Sequence, residues 1–274
     1  MTFSIVARQG EAFGVAVASK FLAVGAVVPD ARLGVGAVAT QSYARVAYRD
    51  ELLDRLAAGE AADPALVAAT ALDEGRETRQ VGVVGPASAA TFTGSECNAW
   101  AGGVARDDGD TAYAIQGNIL TGPEVVEEME RAWHASSGRP LAQRLLAALV
   151  AGDAAGGDSR GRQSAAMYAV EPGSGYDTCG VLADLRVDDH ADPVTELGRL
   201  LAEWEMFFGR PEDVAALTGE LAGEVRDRLA RLGFEADDLS VALADWAGNA
   251  NYEARLSPDG IDARVLEALR AATA

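Results

Sequence analysis

Apolar residues alternate with polar ones, or run unbroken, over Phe3 to Ala7, Phe13 to Ala18 and Val35 to Ala39, with Gly10, Gly14, Pro29 and Gly34 as punctuation. This pattern predicts three β-strands at the start of the chain. The period then lengthens to that of helices over Tyr48 to Ala58 and Asp63 to Glu74, the second with Asp63 as N-cap and Pro64 at the first helical position. Gln80 to Val84 and Ala89 to Thr93 read as a hairpin about Gly85 and Pro86. Thr111 to Gln116 reads as a strand running into a helix that Pro123 opens, with Thr121 or Gly122 as its cap. A helix over Leu141 to Val150, a strand over Ala165 to Val170 and a long helix over Pro193 to Phe208 follow.

Gly209 ends that helix, and Arg210-Pro211 marks a division. Beyond it Val214, Leu217, Leu221, Val225, Leu229 and Leu232 keep one helical stripe; Leu239, Leu243 and Trp246 make a second, and Ile261, Val265 and Leu269 a third. Three such helices can just close a small core. The expected organisation is an α+β domain over residues 1–209 and a small all-α domain over 210–274.

Composition narrows the function classes. The formal net charge of −19 repels nucleic acid and anionic lipid, so neither is an expected partner. The longest apolar run, Phe21 to Val28, is broken by Gly25 and is too short to span a bilayer. No charged, apolar and small-residue leader precedes the first strand, which makes a cytoplasmic location the expectation. Cys97 and Cys179 match no CxxC or zinc spacing. Asp184, Asp188, Asp189 and His190 in DLRVDDHADP invite a metal reading, yet fit neither an HExxH helix nor a calcium loop; edge-strand carboxylates paired with Arg186 are the preferred explanation. No metal and no cofactor are expected. His134, late in its helix, is assigned to the helix dipole. GVGAVA from Gly34 has the form of a dinucleotide fingerprint but continues a strand instead of opening a helix, and no GxSxG elbow occurs.

Candidate chemistry begins at Thr2. If Met1 is removed, Thr2 carries both a hydroxyl and an α-amine at the start of a core strand. An α-amine titrates near 7.7–8.0 in model systems, roughly, so it can act as base for its own hydroxyl. The plain alternative is a common second residue after a start methionine. Of the 23 basic residues, all but Lys20 are arginine. A lysine can be desolvated and tuned as arginine cannot, although a composition depleted in lysine also accounts for a single survivor. Gly117 and Asn118 stand at the next strand-to-helix junction, where an amide donor could stabilise an oxyanion; a turn asparagine is the alternative. In the loop GDAAGGDSRGRQSAA, Arg160 and Arg162 could cradle an anion with Asp158 orienting one of them, and Ser164 is a supporting hydroxyl; a solvated loop is the alternative.

The opening strands, with VAVASK and GVGAVATQ, resemble the N-terminal-nucleophile (Ntn) hydrolase superfamily, which includes proteasome β-subunits. More closely, MTFSIVAR, FLAVGAVVP, GVGAVATQ, QGNIL, GGDSRGRQSAA and DLRVDDHADP resemble a bacterial and archaeal family within it, domain of unknown function 1028, over about residues 1 to 208. The resemblance implies a four-layer α-β-β-α sandwich with Thr2 at the end of an inner strand. It makes Thr2, Lys20 and Asn118 the catalytic candidates, and Ser19, Gln41, Gly117, Asp158, Arg160, Arg162 and Ser164 the substrate-side ones.

The tail, through RLARLGF, ALADWAGNANYEARL and IDARVLEALR, resembles a peptidoglycan-binding module. This implies Asn249, Asn251, Tyr252 and Arg255 as ligand-facing residues, with a dimerisation or docking bundle as the alternative. The expected function is an N-terminal-threonine amidohydrolase acting on a small-molecule amide or muropeptide-like substrate, as a homo-oligomer. A non-catalytic binding or assembly protein that keeps the fold is the second expectation. Asp158, with Ser19 and the carbonyls of Gly36 to Ala39, is expected to balance the Lys20 charge.

Overall fold

The computed structural model describes residues 2–274. In chain order its elements are β1 (Thr2–Gln9), β2 (Ala12–Ser19), β3 (Pro29–Arg32), β4 (Gly36–Ser42), α1 (Tyr48–Ala57), α2 (Ala62–Ala71), β5 (Arg79–Gly85) and β6 (Ser88–Thr93). There follow β7 (Gly102–Asp107), β8 (Thr111–Asn118), α3 (Glu124–Ala135), α4 (Leu141–Ala154), β9 (Ser164–Val170), β10 (Val181–Val187) and α5 (Pro193–Phe208). The last three helices are α6 (Gly219–Arg231), α7 (Leu239–Asn249) and α8 (Ala263–Ala272). The chain divides into two compact units, Met1–Leu201 and Ala202–Ala274.

In the first unit a six-stranded sheet has the order β10-β9-β2-β1-β8-β7 and a four-stranded sheet the order β3-β4-β5-β6, with antiparallel pairing throughout. Side chains alternate across a strand, so β1 sends Ser4 and Val6 to one face and Phe3 and Ile5 to the other. Val6, Val15, Val17, Ala114 and Ala166 of the larger sheet form one core with Ala37, Ala39 and Val84 of the smaller. Its other face, through Val38, Val81 and Val83, packs on Leu52, Leu53, Leu56 and Leu66 of α1 and α2. Helices α3 and α4 pack on each other, α4 also on β1 and β2, and α3 on β8. Both faces of β1 and β2 are therefore dry, which is why these strands read as near-continuous apolar runs instead of alternating.

Helix α3 shows why its sequence is helical. Glu124 and Glu127 occupy the first turn and His134 the last, and Val125, Val126, Met129 and Trp133 are buried on one face. His134 Nε2 also lies 3.0 Å from the Tyr113 hydroxyl, which donates to Glu130.

Some boundaries differ from the sequence expectation. Pro29 opens β3 instead of breaking a strand, because β3 is a sheet edge, where a residue without an N–H is tolerated. β7 is also an edge, and its Gly-Gly-Val-Ala-Arg-Asp sequence has no apolar-polar alternation to announce it. Ala61, not Asp63, holds the N-cap position of α2, which leaves Asp63 inside the first turn. Asp188 pairs with Arg186 on the edge strand β10 as expected, and His190 Nδ1 accepts from the Asp192 N–H.

In the second unit Val225, Leu229, Leu243, Trp246, Ile261, Val265 and Leu269 make a core of their own. Asp238 caps α7, and Asp262 caps α8 through the N–H groups of Arg264 and Val265. The first apolar stripe expected from Val214 becomes helical only at Gly219. No helix among the described residues is long and apolar enough to cross a membrane.

Candidate functional site

Register brings the site together. Thr2 opposes Asn118 across β1 and β8, Phe3 opposes Ala18, and Ser19 opposes Ser164 across β2 and β9. Ser164, Ser19, Thr2 and Asn118 thus form one polar row across four neighbouring strands. All are buried, Thr2 at 5% and Asn118 at 1% exposure. Thr2 Oγ1 lies 3.1 Å from Ser19 Oγ.

The four-stranded sheet faces this row with two glutamines. Gln41 Nε2 donates to the carbonyls of Thr2 (3.2 Å) and Gln116 (3.3 Å) and to Gln80 Oε1 (2.8 Å). Gln80 Nε2 donates to the carbonyls of Gly117 (2.7 Å) and Gly102 (3.2 Å) and to Thr93 Oγ1 (2.9 Å). Asn118 Nδ2 donates to Gln80 Oε1 at 2.9 Å. One row deeper, Ser4 donates to Gln41 Oε1 and accepts from Gln116 Nε2, each at 2.7 Å. A buried amide network of this kind is rigid when its members are satisfied and costly where one is not. Sequence reading singled out Gln41 for its place in a family block; it missed Ser4, Gln80 and Gln116, since a glutamine inside a strand carries no signal of what it faces.

Several expectations change here. Lys20 lies beyond the end of β2 and is exposed, and its ammonium donates to the Arg162 carbonyl at 3.3 Å. A solvated ammonium needs no tuning partner, and the side chain beside the Thr2 hydroxyl is that of Ser19. Asp158 is buried but does not pair with that ammonium: its Oδ2 accepts the Lys20 main-chain N–H at 2.7 Å, and Oδ1 accepts the Arg160 N–H at 2.9 Å. Asp158 does orient Arg160, at 3.3 Å, while Arg162 is held by Asp153 at 2.8 Å. Both guanidinium groups are half-exposed, and Arg162 lines a cavity of about 360 Å³ with Asp153, Asp158 and Gly161.

Ser164 accepts from the Val24 N–H and donates to the Phe21 carbonyl, so it ties down the loop after β2 instead of reaching Thr2. The Gly117 position is explained by packing, since a Cβ there would meet Leu120 Cδ1 at 2.4 Å. Asn118 belongs to the strand and not to the turn after it, and its amide nitrogen gives one of its two N–H groups to Gln80 Oε1.

In the second unit Asn249 and Asn251 are exposed; the positive φ of 59° at Asn251 is a conformation that asparagine tolerates. Tyr252 stacks on Phe207 at 6.0 Å and meets Trp246 edge-on at 5.8 Å. Arg255 is 1% exposed and faces inward, donating to the carbonyls of Glu205 and Arg210 and pairing with Asp262. It therefore belongs to the core of the helical unit and not to a ligand surface.

Comparison with known proteins agrees with this division. Residues 206–269 match the family model described as "Putative peptidoglycan binding domain". No curated protein matches the chain. Among solved structures, the crystal structure of protein SPO2555 from Silicibacter pomeroyi, itself assigned to DUF1028, is similar. It shares 30% identity at a TM-score of 0.65, over 81% of this chain and 92% of that one. Residues 2–197 match the model described as "Family of unknown function (DUF1028)", and on this match and that neighbour the chain belongs to the DUF1028 family.

Proposed function

We propose that the protein is an N-terminal-threonine amidohydrolase acting on a small amide, with muropeptide-like compounds as the substrate class, and that its two sheets and flanking helices form the four-layer sandwich of the Ntn hydrolases. The observation that carries this reading is the seating of the Thr2 hydroxyl on Ser19 at 3.1 Å, at the first position of the central strand β1. A rigid strand end holds a nucleophile better than a loop does.

With Met1 removed, the Thr2 amine takes the hydroxyl proton as Oγ1 attacks the substrate carbonyl. The tetrahedral intermediate collapses by breaking the C–N bond, and the ammonium returns its proton to the leaving amine. A water, deprotonated by the same amine, then hydrolyses the acyl ester. The helical unit's family match supports a cell-wall-derived ligand. The test is covalent labelling of Met1-free full-length protein with threonine-reactive electrophiles. The expected result is a mass increase on the N-terminal peptide that Thr2→Ala abolishes; an unlabelled wild type, or equal labelling of Thr2→Ala, overturns the proposal.

One observation favours a second reading, a non-catalytic binding or assembly protein. Lys20, the lysine that a proteasome-like site would use, gives its ammonium to the Arg162 carbonyl. On this reading a muropeptide binds, measured by titration calorimetry, while no electrophile labels Thr2.

A further inference from the structure

Asn118 Oδ1 is buried and has no hydrogen-bond partner among the described residues. Its direction is set by its neighbours. Carbonyl oxygens only accept, so the Gln80 atom facing the Gly117 and Gly102 carbonyls is the nitrogen, and Oε1 faces the other way. That oxygen receives Gln41 Nε2, itself identified by its contacts with the Thr2 and Gln116 carbonyls. The Asn118 atom 2.9 Å from Gln80 Oε1 is then the donor, Nδ2. Asn118 consequently presents a bare acceptor in a dry site, which is costly unless a donor meets it.

Thr2 stands directly opposite. Directly opposed residues on one face have Cβ atoms about 4.5–5.5 Å apart, within reach of a short carboxamide. We infer that Asn118 holds the α-amine of Thr2 through its carboxamide oxygen, and that Gln80 is the positioning residue that fixes this orientation. The inference rests on the reading that Thr2 is the first residue of the working protein. One N–H of the amine is then anchored on Asn118, which leaves the nitrogen lone pair for the Thr2 hydroxyl proton. Ser19, Gln41, Gln80, Asn118 and Ser164 around Thr2 are all neutral; the charged groups flanking them are Lys20, Asp158 and Arg160, from the end of β2 and the loop before β9.

The test is an NMR titration of the Thr2 α-amine in Met1-free full-length protein, in wild type, Asn118→Asp, Asn118→Leu and Gln80→Met. A carboxylate at this distance favours the ammonium, so Asn118→Asp should lower its acid dissociation constant about tenfold or more. Asn118→Leu removes the acceptor and should move the titration midpoint to lower pH. Gln80→Met, which frees the carboxamide to turn, should move it the same way, whereas a purely structural glutamine would leave it in place. The wild type adds a readout free of substitution: the Asn118 side-chain amide signals should titrate together with the Thr2 amine.

Unmoved midpoints in the Asn118 variants, or Asn118 signals flat across the amine titration, overturn the inference. The two proposals can fail separately. Shifted midpoints without electrophile labelling leave the Asn118 role standing and remove the amidohydrolase, and labelling with unmoved midpoints does the reverse.

Discussion

Arg255 and Asp262 form an ion pair inside the helical unit, Nη1 to Oδ2 at 2.9 Å, with side chains 1% and 0% exposed. Asp262 also accepts the Glu212 N–H on the same oxygen and the Arg264 and Val265 N–H groups on the other, so a single carboxylate caps α8, ties down the segment before α6 and neutralises the arginine. Breaking a buried pair by removing one partner strands the other charge. Arg255→Leu should therefore destabilise this unit by about 3–5 kcal/mol. Denaturant unfolding followed by Trp246 fluorescence reads it; a loss below about 1 kcal/mol, the ceiling for an exposed pair, would show that the pair is solvated in solution.

The inter-sheet network makes its own prediction at Gly82. A Cβ there would lie 2.2 Å from Gln116 Oε1 and 2.5 Å from its Nε2, so the Gln116 carboxamide must leave its place. Gly82→Ala, harmless to the backbone of a regular strand, should break the Gln116 to Ser4 bond and cost about 1–3 kcal/mol in thermal unfolding. An unchanged melting temperature would mean that the network is loose.

Acid stability should depend on Asp73. Burial works to raise its carboxyl pKa, but hydrogen bonds from Arg79, the Tyr48 hydroxyl and the Gly75 N–H outweigh this and hold it at about 2, against an ordinary 3.8. The folded-state value is depressed, so the stabilisation is complete above the unfolded value and disappears as pH falls from about 3.8 to about 2. Asp73→Asn should lower stability at pH 7, and its deficit should shrink over that window. A deficit that stays constant down to pH 2 would assign it to packing alone.

Lys20 and Thr2 separate chemistry from surface. The Lys20 ammonium is exposed on a single carbonyl, so Lys20→Met should change stability by less than about 0.5 kcal/mol and leave electrophile labelling of Thr2 intact. Thr2→Ala should abolish labelling with a modest stability loss. Loss of labelling in Lys20→Met would return the lysine to the chemistry.

The sequence by itself determined most of the strands and helices, because period and punctuation are local: β1, β2, β5, β6 and α5 follow from alternation, apolar runs, glycines and prolines. It also determined the family, through blocks spread over some 200 residues, and it brought Thr2, Lys20 and Asn118 forward as catalytic candidates. It could not give the edge strands β3 and β7, whose existence depends on a neighbour to pair with. Tertiary structure alone decided which way polar groups face. Asn118 turns its nitrogen to Gln80, 38 positions away, which leaves its carboxamide oxygen without a partner among the described residues. Asp158 serves a main-chain amide because the end of β2 meets its loop, and Arg255 turns inward because Asp262 waits there. Hydrogen-bond direction is a property of partners brought together by folding, and a sequence read along the chain holds the donors and acceptors without their pairing.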